Sequence, residues 1–181
     1  MIPDFMQAGR TINPIDLNKL AESYKRKIYN AITFLINNIC VFDFDGTLTN
    51  FKYAKNRLLP CMDSQLQKWC ETHNLYENVE ILKTMQYIIN ELNEDDVYIL
   101  TSTVPSLREN KNKCIHANFP HIKDGHIIHT NGAAEKMEIL EKIYNERRRQ
   151  IIFIEDLYKT LLDEEERFDF VKGFHLSSLL P

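Results

Sequence analysis

At 181 residues, with 44% hydrophobic and 27% charged residues, the chain has the composition of one globular domain with a substantial core. A formal net charge of -4 argues against general nucleic-acid or anionic-membrane binding, and no apolar run approaches a membrane span. The four cysteines, Cys40, Cys61, Cys70 and Cys114, form no close pair and have no histidine at zinc spacing, and the N-terminus lacks a basic-then-apolar signal pattern, so a cytoplasmic protein with reduced thiols is expected.

Residues 1–12 have no periodicity and read as a tail. Asn13-Pro14 supplies a helix start, with Asn as cap and Pro in the first turn. Leu17, Leu20, Tyr24, Ile28, Ala31, Ile32 and Leu35 then form one apolar stripe, ending near Asn37-Asn38. Packing on the core is the expected use of that helix; a dimer contact and a roof over an active site are the alternatives. Ile39-Cys40-Val41-Phe42 is a buried strand that runs directly into Asp43-Phe44-Asp45-Gly46-Thr47. Residues 50–78 carry no clear strand, only room for a flap near Phe51 and Tyr53 and a short helix over residues 62–73. Residues 79–92 read as a helix whose face carries Ile81, Leu82, Met85, Ile88, Ile89 and Leu92. Residues 97–103 form a second apolar run, closing on the hydroxyls of Thr101, Ser102 and Thr103.

Val104-Pro105 opens a helix that should stop before Phe119-Pro120. A short strand over residues 126–130 is followed by a helix from about Ala133, with Met137, Leu140, Ile143 and Tyr144 on one side. That helix ends in Arg147-Arg148-Arg149, where cations suit the negative helix terminus. Residues 150–154 form the fourth strand, ending on Glu155-Asp156, and residues 170–174 a fifth at the sheet edge. The acidic run over residues 163–166 reads as a solvated face, and the six histidines as solvated or structural. Strands alternating with helices predict an α/β fold: a doubly wound, mostly parallel Rossmann-like sheet of about five strands. A single domain over residues 1–181 is expected, with an N-terminal helix and a small helical cap at about residues 50–78.

Three apolar strands end in functional groups, and a parallel sheet collects such ends on one edge. Asp43 and Asp45 could belong to an ordinary surface turn, since Asp-Gly is a common turn pair. As neighbours in a site they need a reason. Like charges about 4 Å apart repel by roughly 4 kcal/mol at an effective dielectric near 20, so either one stays protonated or a cation lies between them.

The run Asp43-Phe44-Asp45-Gly46-Thr47 behind a hydrophobic strand resembles the first motif of the haloacid dehalogenase-like phosphohydrolases. Thr101 closing a strand, Lys136 near the start of a later helix and the pair Glu155-Asp156 resemble the other three motifs in order, over roughly residues 39–175. That resemblance implies a magnesium-dependent phosphatase hydrolysing a small-molecule phosphate ester through an aspartyl-phosphate. Asp43 would be the nucleophile and Asp45 the general acid–base, with Thr47 orienting Asp45 and steadying the loop. Thr101 and Lys136 would hold the phosphoryl group, with Lys123 as the fallback lysine. Mg2+ would be held by Asp43, Asp156 and the backbone carbonyl of Asp45, leaving open whether Glu155 touches the metal or its surroundings. Residues 101–130, with Asn118-Phe119-Pro120, resemble the small-capped deoxyribonucleotidase branch, which would make the enzyme a 5'-nucleotidase type. The alternatives are a phosphotransferase or phosphomutase of the same fold, and a non-catalytic phosphate-binding scaffold.

Overall fold

The computed structural model describes residues 21–50, 68–77 and 79–179. In chain order the elements are α1 (Glu22–Leu35), β1 (Ile39–Phe42), β2 (Thr49–Asn50), β3 (Glu80–Ile81), α2 (Lys83–Asn90), β4 (Val97–Ser102) and α3 (Arg108–Asn118). They continue with β5 (Ile127–Thr130), α4 (Ala133–Arg147), β6 (Ile151–Glu155), α5 (Tyr158–Arg167), β7 (Val171–His175) and α6 (Leu176–Leu179). Five strands form one sheet in the order β5-β4-β1-β6-β7, and every pairing in it is parallel. β2 and β3 make a separate antiparallel pair.

The continuous apolar runs follow from burial on both faces of a parallel sheet. Alternate residues of β1 point to opposite sides. Cys40 and Phe42 join Val97, Ile99, Ile152 and Ile154 in a core with Ile28, Ala31, Ile32 and Leu35 of α1, Met85, Ile88 and Ile89 of α2, and Ile115 of α3. Ile39 and Val41 join Tyr98, Leu100, Ile151 and Phe153 in a second core, under Leu140 and Ile143 of α4 and Leu161 of α5. Each fully buried aliphatic or aromatic side chain contributes about 1.5–3 kcal/mol, so the two layers rather than helix propensity hold the fold. This is the doubly wound arrangement that the alternation predicts.

Strand order reverses around β1: the chain moves outward through β4 and β5, then crosses to β6 and β7. Such a reversal opens a crevice beyond the carboxyl ends of the strands. β1, β4 and β6 are adjacent, so the three strand ends with functional groups are brought side by side.

Several boundaries differ from expectation. The helix expected over residues 79–92 begins at Lys83, because Glu80 and Ile81 pair instead with Asn50 and Thr49. Ile81 and Met85 keep helical spacing across the strand–helix junction, and the capping residue Leu82 makes no side-chain cap, so periodicity could not mark the start. α1 starts at Glu22 after an extended Ala21; the Asn13-Pro14 start, Cys61, and most of the cap, including Phe51 and Tyr53, lie outside the described residues. Residues 68–70 are helical and residues 71–73 are not, so the helix expected over residues 62–73 stops at Cys70.

The arginine cluster has a different partner from the helix terminus. Arg147 and Arg149 both donate to Asp96 Oδ1, at 2.6 and 2.7 Å, and Arg149 also reaches the carbonyl of Asn37. Asp96 immediately precedes β4, so this clasp ties α4 to the amino edge of the sheet, away from the crevice. Lys123 pairs with Asp95 at that same edge and is not a site lysine. Among the described residues no helix is long and apolar enough to cross a membrane.

Candidate active site

Asp43 stands at the end of β1 and continues its ladder, its N–H donating to Ile154 O at 2.9 Å. Its side chain is buried between β1 and β6. Lys136, in the first turn of α4 and equally buried, donates to Asp43 Oδ1 at 2.8 Å and to Glu155 Oε2 at 2.6 Å. Its ammonium also lies 5.7 Å from the centre of the Phe153 ring. Burial works against the Lys136 charge, but Asp43 and Glu155 outweigh it and hold the lysine above its ordinary range. Burial pushes the Asp43 carboxyl up to about 6; Lys136 opposes this, while Glu155 and Asp45 add to it.

Oxygens of Asp43, Glu155 and Asp156 lie within 4.8 Å of one another, a hard all-oxygen set of the kind that binds Mg2+. Their hydrogen bonds separate the three. Glu155 is fully engaged, with Oε2 on Lys136 and Oε1 accepting from the backbone N–H groups of Asp156 and Leu157. Asp43 has one oxygen on Lys136, and the partly buried Asp156 carboxylate lies close enough to that of Glu155 to share a hydrogen bond with it. The donors therefore fit a divalent cation on Asp43 and Asp156, with Glu155 orienting Lys136 and the loop after β6.

Gly46 explains how Asp156 comes so close to the first loop. Its φ is +83°, and a Cβ there would lie 2.3 Å from Asp156 Oδ2, so any side chain would displace that carboxylate. His175, at the end of β7, bonds the Asp156 carbonyl at 3.0 Å. Thr47 does not steady the loop as expected: its hydroxyl is buried with no partner among the described residues. Thr49 does so, accepting from Gly46 N–H and donating to Phe44 O, both at 3.2 Å.

Asp45 faces away from Lys136. Its Oδ2 accepts from Lys111 Nζ at 2.7 Å and from the Tyr76 hydroxyl at 3.2 Å, while Oδ1 is buried with no partner among the described residues. The Asp45 carboxylate is thus outside the Asp43–Glu155–Asp156 group. Thr101 is fully buried at the end of β4, and its hydroxyl oxygen accepts from Lys111 at 3.0 Å. The crevice therefore brings together Asp43, Asp45, Thr101, Lys136 and Asp156. It also adds two groups that sequence reasoning missed, Lys111 and Tyr76. Lys111 had a readable signal: it lies in four-residue register with Leu107, Ile115 and Phe119, all buried.

The histidines of β5 and of the turn before it are structural. His129 bonds Thr103 Oγ1 and Asn112 Oδ1 at 3.1 and 2.6 Å, and burial with the nearby Lys111 and Arg108 charges lowers it to about 4. His126 bonds Val97 O and stacks on Tyr98.

One acid of the run over residues 163–166 is not solvated. Glu164 is fully buried on α5, and neither carboxylate oxygen has a partner among the described residues. Burial pushes it up to about 8, with Lys136 opposing and Glu155 and Asp163 adding. Between about pH 4.5 and 8 the folded protein keeps a proton that the unfolded chain has released, so stability falls as pH rises through this window. Glu164→Gln is expected to stabilise the fold by on the order of 2 kcal/mol near pH 8 and to change it little near pH 5. Urea unfolding at both pH values checks this; an equal effect at the two would count against a buried neutral acid.

No protein-family model matches the chain, and no curated protein matches it either.

Proposed function

We propose that the protein is a magnesium-dependent phosphomonoesterase of the haloacid dehalogenase-like kind, acting through an aspartyl-phosphate on Asp43. The observation that carries this reading is the buried Lys136 ammonium shared by Asp43 and Glu155, beside an Asp156 carboxylate whose oxygen lies within 4.8 Å of theirs. Three carboxylates that close carry more negative charge than one ammonium offsets, which favours a bound cation. The unpaired Cys40, Cys70 and Cys114 fit action in the cytoplasm.

In the first step Asp43 attacks phosphorus in line, and a carboxylate O–P bond forms as the bond from phosphorus to the ester oxygen breaks. Asp45 gives that departing oxygen a proton. In the second step water attacks phosphorus, Asp45 takes the water's proton, and the Asp43 O–P bond breaks to release inorganic phosphate. Lys136 and the Thr101 hydroxyl donate to phosphoryl oxygens during both steps. When bound by Asp43, Asp156 and the Asp45 carbonyl, Mg2+ supplies the charge that offsets an anionic substrate among these acids. Choice of the small-molecule ester falls to about residues 50–78, and 5'-mononucleotides are the first substrates to test.

Phosphate release from p-nitrophenyl phosphate, 5'-mononucleotides and sugar phosphates tests the reading. Release is expected with Mg2+ and no acceptor alcohol, and is expected to stop with EDTA. A proton and a cation compete for Asp43, so the Mg2+ needed for half activity should rise as pH falls below about 6. No release from any ester with Mg2+ present would sink the proposal and favour a non-catalytic phosphate-binding scaffold.

A further inference from the structure

We propose that Lys111 is a positioning residue for the acid–base step, an inference that rests on the phosphomonoesterase reading. Lys111 is fully buried on α3, and its three donor bonds go to Asp45 Oδ2, Thr101 Oγ1 and Ser102 O, at 2.7, 3.0 and 3.2 Å. Its ammonium also sits 5.3 Å from the Tyr76 ring centre and 5.9 Å from that of Phe44, so two aromatic faces fix it from the side.

These contacts have two chemical consequences. Lys111 and the Tyr76 hydroxyl both donate to Oδ2 of Asp45, which fixes the carboxylate, while Oδ1 is buried with no partner among the described residues. The Asp45 side chain is nonetheless 34% exposed, so the carboxylate fixed in this way still meets solvent, where it can exchange a proton with the departing oxygen and then with water. Lys111 also fills an acceptor position on the Thr101 hydroxyl, so the Thr101 O–H is left to donate elsewhere. One cation thus orients the acid–base and a phosphoryl-binding hydroxyl together.

Stability gives a poor reason for a lysine here. Leu107, Ile115 and Phe119 occupy the neighbouring positions of the same register, and an apolar residue would complete that face. Its partner Asp45 is 34% exposed and keeps water when the lysine is replaced, so this pair contributes less to stability than a fully buried one.

The test uses two esters in Mg2+: p-nitrophenyl phosphate, whose phenol departs readily without a proton, and glycerol 3-phosphate, whose alkoxide needs one. Lys111→Met should lower kcat/KM for the alkyl ester by about 100-fold or more, and for the aryl ester by less than about tenfold. Tyr76→Phe removes the second donor to Oδ2 and should show the same preference, more weakly; it carries the test if Lys111→Met does not fold. Equal losses for both esters in a folded variant, or no loss, would overturn the positioning role while leaving the phosphatase reading intact. A wild-type protein that releases phosphate from no ester with Mg2+ present would overturn that reading, and the Lys111 role with it.

Discussion

Asp43→Asn is expected to abolish phosphate release, lowering turnover by at least about 10⁴-fold, while the protein stays folded. An amide cannot form the acyl phosphate, and loss of the nucleophile of a covalent mechanism removes most of the catalysis above binding alone. The same substitution should not harm stability. Lys136 keeps its 2.6 Å bond to Glu155, and asparagine fills the same space as aspartate. Burial already raises Asp43 to about 6, so in the folded protein its carboxyl holds a proton between about pH 3.8 and 6 that the unfolded chain has lost. Its contribution to stability therefore falls as pH rises through that window, and above it the ionised group is a net burden. Asp43→Asn should be as stable as wild type near pH 5 and more stable by on the order of 1 kcal/mol near pH 8. Acid quenching during turnover of labelled substrate should trap phosphate on wild type and none on the variant. Undiminished turnover by Asp43→Asn would exclude the aspartyl-phosphate route.

The sheet was legible because a strand buried on both faces has to be apolar throughout. Residues 39–42, 97–100 and 151–154 are such runs, and each stops where the crevice begins. The acids and the hydroxyl that end them were legible for the same reason: at the carboxyl edge of a parallel sheet, polarity interrupts a run that packing would otherwise extend. Lys111 and Glu164 were missed through the opposite error. Both lie on helices within charge-rich stretches, so composition suggested solvent, yet each occupies a buried register position. Lys111 aligns with Leu107, Ile115 and Phe119; Glu164 aligns with Thr160, Leu161 and Phe168. A polar residue in register with buried neighbours is informative whatever charges surround it. Tyr76 had no such signal. It reaches Asp45 across 31 positions from a turn, and only tertiary packing puts it there.

The second large effect is expected at Lys136, where stability and activity should fall together. Lys136 is the shared cation of two buried acids, Asp43 at 2.8 Å and Glu155 at 2.6 Å. Lys136→Met keeps most of the apolar stem and removes the charge, its donors and the ammonium near the Phe153 ring. Removing one partner of a buried ion pair typically costs about 3–5 kcal/mol, because the remaining charge has neither water nor a counter-ion. The two carboxyls can relieve that by taking up protons, as burial already raises both of them. Relief is available at low pH and is lost as pH rises, so the deficit should be small near pH 5 and largest near pH 8. Mg2+ should restore part of the lost stability near pH 8, since a cation on Asp43 and Asp156 supplies charge where the ammonium stood. It should not restore activity, because the donors to the phosphoryl group are gone, and turnover should stay down by about 10²–10³-fold. Urea unfolding at both pH values, with and without Mg2+, separates these terms. A Lys136→Met protein as stable as wild type near pH 8 without metal would mean that the buried acids do not depend on this lysine, and the charge balance derived for the crevice would be wrong.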